Sequence, residues 1–226
     1  MKPPSQVVYL VDNDVRGRAV VSGALQASSM NVIGFRSGSE YLEHNRTDDS
    51  SCLILDLHLP DMSGLDLQRR LLEKANPPVI FVSAQCDIPS TVRAMKAGAI
   101  EFLTKPVDPE ALISAVRVAF TKDLEQRRKT AELDSLQRQF AHLTSREREV
   151  LPLVAGGMLN KQAAAVLGIT EVTVQVHRGQ IMKKMEASSF ADLVRMAGKL
   201  GIPEPRSSMQ EMKAQAAQRP SSLNPG

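Results

Sequence analysis

The chain of 226 residues has no tryptophan, and aromatic residues make up only 4% of it. Any core must therefore be built from Leu, Val, Ile, Met and Ala. Cysteine is nearly absent as well. Cys52 and Cys86 are the only two, and no CxxC or clustered His accompanies them. That excludes a disulfide scaffold and a structural zinc site, and it fits a reducing compartment. Long apolar runs are missing too. The longest charge-free stretch, Ala19–Phe35, is broken by Ser, Gly, Gln and Asn and cannot span a bilayer. The opening residues MKPPSQ lack the apolar segment of a signal peptide. These absences predict a soluble, cytoplasmic protein with no membrane segment. Neither charge sign dominates, since the net charge is +3. Its distribution is more telling. Residues 1–120 carry 12 basic and 14 acidic side chains, whereas 144–202 carry 8 and 5. An acidic front and a basic back predict different partners for the two halves.

What is present divides the chain into four parts. Over 1–120, short apolar runs at 7–11, 32–35, 52–56, 78–83 and 100–104 alternate with helical spacings such as Val21/Leu25, Leu67/Leu71 and Val92/Met95. The segment 109–120 sets Leu112, Ala115, Val116 and Ala119 on one helical face. Ser37 and Glu40 have the spacing of a capping box ahead of a helix. Strands that are continuously apolar, with helices between them, predict an α/β fold: a parallel sheet covered on both faces. Residues 121–142 contain neither Gly nor Pro and read as a helical linker. Its larger apolar residues are Leu124, Leu133, Leu136 and Phe140, with Leu143 following, and the spacing from Leu133 to Leu143 suits either a short coiled-coil seam or one side of a solvated helix. Residues 143–202 carry helical patterns only, and 203–226 lack any core-forming pattern and read as a disordered tail.

In a doubly wound parallel sheet, the carboxyl ends of the strands open on one crevice. Four ends deliver polar groups there: Asp12-Asn13-Asp14 after the first strand, Asp56 after the third, Ser83 after the fourth and Lys105-Pro106 after the fifth. Convergent acids suit a hard divalent cation. A lysine and a hydroxyl facing them suit a phosphoryl group. Asp14, at the start of the first helix, can serve as a helix cap or as a further acid of the site.

The segments LILDLHLPDMSGLDL (53–67), VSA (82–84) and LTKP (103–106) resemble the receiver domain of two-component response regulators. The resemblance covers residues 6–120 and implies a (βα)5 sheet of order 2-1-3-4-5. It implies that Asp56 is the phosphoacceptor for a partner histidine kinase. Mg2+ would be held by Asp12, Asn13, Asp56 and the backbone carbonyl of His58. Ser83 and Lys105 would bind the phosphoryl oxygens, Phe102 would be the aromatic switch, and the Lys105–Pro106 peptide would be cis. His58 and Gln85 fall where this family tunes dephosphorylation, and Cys86 lies beside the crevice. The family carries an acid where this chain has Asn13, which predicts weakened Mg2+ affinity.

In the helical part, NKQAAAVLGITEVTVQVHRGQIMKKM (160–185) reads as helix, turn at Gly168, and second helix, a helix-turn-helix pattern. Thr144 and Glu147 form a capping box, Asn160 can cap the first of the two helices and Thr170 the second. A basic helix bearing Gln suits phosphate contacts and base-edge reading. With LTSREREVL (143–151), this part resembles the LuxR-type helix-turn-helix domain, and the whole chain resembles the NarL/FixJ class, closest to its FixJ branch. By position, the resemblance places Gln175, Val176 and Gly179 toward the bases of double-stranded DNA. It makes Lys161, Thr173, Arg178 and Lys183 phosphate contacts. Gly179 offers no side chain and lowers helix propensity by about 1 kcal/mol. Pro152 predicts a kink in the helix that holds it, or a later start.

The reading is a DNA-binding transcription regulator controlled by phosphorylation and dimerising when phosphorylated, rather than an enzyme. Two rivals stand beside it. One is a receiver that works without phosphorylation, which Asn13 suggests. The other is an aspartate-nucleophile phosphatase, which needs a second acid where this chain has His58.

Overall fold

The computed structural model describes residues 6–45, 49–71, 76–84 and 87–202. Gln85, Cys86 and the tail 203–226 lie outside the described residues. The chain divides into two compact units, Met1–Arg128 and Lys129–Gly226.

In the first unit five strands, β1 (Gln6–Val11), β2 (Asn31–Phe35), β3 (Ser50–Leu55), β4 (Val79–Ser83) and β5 (Glu101–Thr104), form one sheet of order β2-β1-β3-β4-β5. All four pairings are parallel. Alternate residues explain why the strands read as unbroken apolar runs. Val7, Tyr9, Val11, Leu53, Leu55, Val79 and Phe81 enter one core with Tyr41, Leu67, Leu71 and Ala94. Their neighbours Val8, Leu10, Cys52, Ile54, Ile80 and Val82 enter the other with Val21, Leu25, Leu112, Val116 and Phe120. The first core thus takes α2 (Gly38–Glu43), α3 (Gly64–Leu71) and α4 (Ile88–Lys96); the second takes α1 (Val15–Ala27) and the start of α5 (Pro109–Ala141). The central strands β1, β3 and β4 are buried on both faces, as continuous hydrophobicity requires, whereas the edge strands β2 and β5 are only partly covered. Ser37 accepts from the Glu40 N–H, but the Glu40 carboxylate reaches back one residue further, to the Arg36 N–H.

Helix α5 runs unbroken to Ala141. Asp123 is buried, accepts a hydrogen bond from the Ser51 N–H (3.1 Å) and pairs with Arg127 (2.7 Å). Further on, Leu136 and Leu143 are buried in the core of the second unit and Phe140 packs on it, whereas Leu124 and Leu133 are exposed. The apolar spacing 136/140/143 is thus used for packing within the chain.

The second unit adds α6 (Ser145–Ala155), α7 (Asn160–Leu167), α8 (Glu171–Lys184) and α9 (Phe190–Lys199) around Val150, Leu151, Val154, Val174, Ile181, Met185 and Leu193. Thr144 caps α6 reciprocally with Glu147. Pro152 does not shift the start of α6, which begins at Ser145 and continues beyond the proline to Ala155. The expected cap at Asn160 is corrected. Leu159 occupies the cap position and its N–H is taken by Gln162 Oε1 (2.9 Å), so Asn160 lies inside the helix. Gly168 takes the left-handed conformation (φ 63°) that ends α7, and Thr170 caps α8. Among the described residues no helix is long and apolar enough to cross a membrane.

Candidate functional site

The crevice residues are held by the sheet itself. One step past each strand, the backbone continues the ladder. The Asp12 N–H donates to Phe35 O (3.1 Å), Asp56 N–H to Val11 O (2.9 Å) and Lys105 N–H to Ser83 O (3.0 Å). Because all strands are parallel, these residues emerge on one rim. There the Lys105 ammonium bridges Asp12 Oδ2 (2.7 Å) and Asp56 Oδ2 (2.6 Å). The Ser83 hydroxyl donates to Asp56 Oδ1 (3.0 Å), which also accepts from the His58 N–H (3.2 Å). Both acids are buried, and the lysine is mostly so. Burial works to lower the Lys105 ammonium. The hydrogen bonds and charges of Asp12 and Asp56 outweigh it and hold the group above its ordinary value. The Lys105–Pro106 peptide is cis. Phe102 is half-buried and stacks on Phe81, with ring centroids 5.7 Å apart.

Asp14 is the N-cap of α1. Its carboxylate accepts from the N–H groups of Arg16 and Gly17, each at 3.0 Å, and those bonds hold it below the ordinary carboxylate range. It is engaged as a helix cap, and it lies near enough to the Lys105 ammonium for that charge to lower it further. Asn13 is exposed. Among the described residues no cluster of three His, Cys, Asp or Glu is placed to hold a metal. The donor set still fits Mg2+, because Asp12, Asp56, an amide oxygen of Asn13 and a backbone carbonyl are all hard oxygen donors and this ion keeps several waters.

Residues that sequence reasoning passed over shape the crevice. Arg18 donates through Nη1 to the Asp12 carbonyl. Gly64 is required by close approach: a Cβ there would stand 2.3 Å from the Asp56 carbonyl oxygen. Asp61 fastens the loop after Asp56 to α2, accepting from Gly38 N (3.1 Å), Ser39 N (2.8 Å) and Ser39 Oγ (2.6 Å). Glycine at the start of a helix was the available signal for Gly64. The Asp61 contact spans 22 residues and had none.

In the second unit α8 packs Val174, Ile181 and Met185 inward and leaves Val172, Gln175, Val176, Gly179 and Lys183 exposed. Lys161 is exposed on α7. Thr173 is half-buried and shares a hydrogen bond with the Thr170 hydroxyl (2.8 Å). Arg178 is placed differently from a free phosphate contact. Its guanidinium lies 3.9 Å from the centre of the Phe190 ring and donates to Asn160 Oδ1 (3.3 Å), joining α7 and α9 across α8.

Comparison with known proteins agrees with this geometry. Residues 8–117 match the response regulator receiver domain, and residues 141–197 match the bacterial regulatory proteins of the luxR family. Nodulation protein W of Bradyrhizobium diazoefficiens is 42% identical, with 87% of each chain covered. The transcriptional regulatory protein FixJ of Azorhizobium caulinodans is 36% identical over 88% of this chain and 95% of its own. The solved structure of the response regulator StyR superposes with a TM-score of 0.73 at 42% identity, covering 86% of this chain and 99% of that one. With both units matched and the crevice and helix-turn-helix in place, the chain belongs to the two-component response regulators of the NarL/FixJ class, in which a receiver domain is joined to a LuxR-type DNA-binding domain.

Proposed function

We propose that Asp56 accepts a phosphoryl group from the phosphohistidine of a partner histidine kinase. One observation carries this reading: Lys105 bridges Asp12 and Asp56 while Ser83 and the His58 N–H fix the other Asp56 oxygen. The carboxylate is thereby oriented as a nucleophile. Its oxygen bonds to phosphorus as the phosphorus–nitrogen bond breaks and histidine leaves. Lys105 and Ser83, already on that carboxylate, meet the charge of the transferred group. Asp12, Asp56, Asn13 and the His58 carbonyl would hold Mg2+, which when bound offsets phosphoryl charge. Asn13 brings an amide where a carboxylate would attract the ion more strongly, so affinity is reduced.

Phosphorylation adds about −1.5 to −2 charge beside Ser83 and Lys105. The switch passes through Ser83 and Phe102 to the face of α4, β5 and α5, where the phosphorylated chains pair. Ile88, Val92 and Met95 support that face, forming an exposed apolar stripe on α4. The paired output domains bind double-stranded DNA, with Gln175, Val176 and Gly179 toward the bases and Lys161, Thr173 and Lys183 toward phosphates. Arg178 supports α8 from between Asn160 and Phe190. Such a regulator works in the cytoplasm and is not an enzyme. His58, in the position a phosphatase would need an acid, has an exposed side chain and offers Asp56 only its backbone N–H.

Acetyl phosphate labelling and genome-wide DNA occupancy of wild type and Asp56→Asn test the reading. Labelling confined to the wild type, with occupancy reduced in the variant, is expected. Asn13 favours a second reading, a regulator that works without phosphorylation. Equal occupancy in the two proteins would establish it.

A further inference from the structure

The exposed face of α8 contains three locally unfavourable choices. Val172 is 69% exposed and Val176 57% exposed, although valine is a poor helix former and apolar. Gly179 follows one turn on. Apart from its chain neighbours and the adjacent turns of the helix backbone, no atom lies within 4 Å of the Cβ it lacks, so internal packing does not demand glycine there. At 100° per residue, positions 172, 176, 179 and 183 fall within about 60° of arc. The helix is otherwise well made, with Thr170 as cap, Glu171 in its first turn and Lys183 and Lys184 in its last. A stripe that breaks local rules on an otherwise consistent element marks a surface chosen for a partner.

We propose that Val172 and Val176 read thymine by its C5 methyl group and so determine much of the base preference of this chain. The inference rests on the reading of α8 as the DNA-recognition helix. The major-groove edges of the four base pairs present donors, acceptors and one apolar group, the thymine methyl. A valine can complement only that group. Set against the amino group of cytosine or adenine, it would desolvate a donor and return no acceptor. Val172 lies in the first turn of α8, the part of a recognition helix that faces base edges, and Val176 lies one turn further on the same face. Gly179 leaves the next turn bare, so the backbone can approach the groove floor. Gln175 beside this stripe is suited to adenine, whose partner is thymine. The half-site is therefore rich in A·T pairs, with at least two thymines at fixed positions.

The test uses the full chain treated with acetyl phosphate. A bound duplex is selected from a random library, and each of its thymines is then replaced singly by uracil, which removes only the methyl. For the wild type, uracil at two thymines per half-site weakens binding about fourfold each, the worth of one buried methyl. Val172→Ser abolishes the penalty at one of them and Val176→Ser at the other. Both side chains are exposed, so neither change removes a core contact. Uracil tolerated at every thymine by the wild type would overturn the proposal, as would both penalties persisting in both variants. Enrichment of no duplex at all would overturn the DNA-recognition reading of α8, and the proposal with it.

Discussion

Asn13→Asp restores a third carboxylate to the crevice, and its effects have opposite sign with and without metal. One unit charge about 4 Å from another is worth about 4 kcal/mol at an effective dielectric of ~20, most of it opposed by desolvation. Asn13 is exposed, so solvent screens the gain to about 1 kcal/mol, the upper range for exposed pairs. That corresponds to roughly fivefold tighter Mg2+ binding. Without the ion, the new carboxylate joins Asp12 and Asp56, which already share the single Lys105 ammonium. Repulsion then costs up to about 1 kcal/mol, or about 4 °C in Tm for a domain of this size. The chain has no tryptophan for fluorescence quenching to report on. Calorimetric Mg2+ titration and thermal unfolding, with chelator and at saturating Mg2+, are the suitable assays. The variant should melt lower than wild type in chelator and gain more from Mg2+. Equal Mg2+ affinity in the two proteins would refute the reasoning, and so would a metal-free variant more stable than wild type.

Three further outcomes are expected. Asp14→Ala should lower Tm while Asp14→Asn restores most of it, since the side chain caps α1. Gly64→Ala should cost about 3 kcal/mol in urea unfolding, because its methyl would stand 2.3 Å from the Asp56 carbonyl oxygen. Glu147→Gln should cost the second unit about 2 kcal/mol near neutral pH by breaking the buried pair with Lys184 (2.7 Å). Burial works to raise this carboxyl, but Lys184 and Thr144 outweigh it and hold it below its ordinary 4.5. Its contribution is therefore full above that value and lost as pH falls through the lowered one. Unfolding curves of the two proteins should converge in acid.

The fold was legible in the sequence because burial on both faces leaves uninterrupted apolar runs, and the strand edges fall within two residues of them. The crevice was legible because parallel strands bring Asp12, Asp56, Ser83 and Lys105 to one rim, whatever the details of packing. Contacts of the kind made by Asp61 with α2, or by Arg178 with Phe190, join elements whose meeting no local pattern records. Asn160 shows the limit of cap rules. It is a good capping residue, but Arg178 takes its side chain and Gln162 supplies the turn. No local pattern singles out Val172, because an exposed valine is ordinary in isolation. Its meaning comes from the face it shares with Val176 and Gly179.

The buried Asp123 has a practical consequence for dissecting the protein. A receiver fragment cut at Phe120, where the helical pattern of the sheet-packing face ends, would strand the Ser51 N–H beneath the sheet without its acceptor. That loss alone is about 1–3 kcal/mol. An output fragment begun at Leu143 would lose Leu136 and Phe140 from its core, and Glu132 from its pair with Lys199. Expression pieces of both halves should instead meet inside α5, between Arg128 and Lys129.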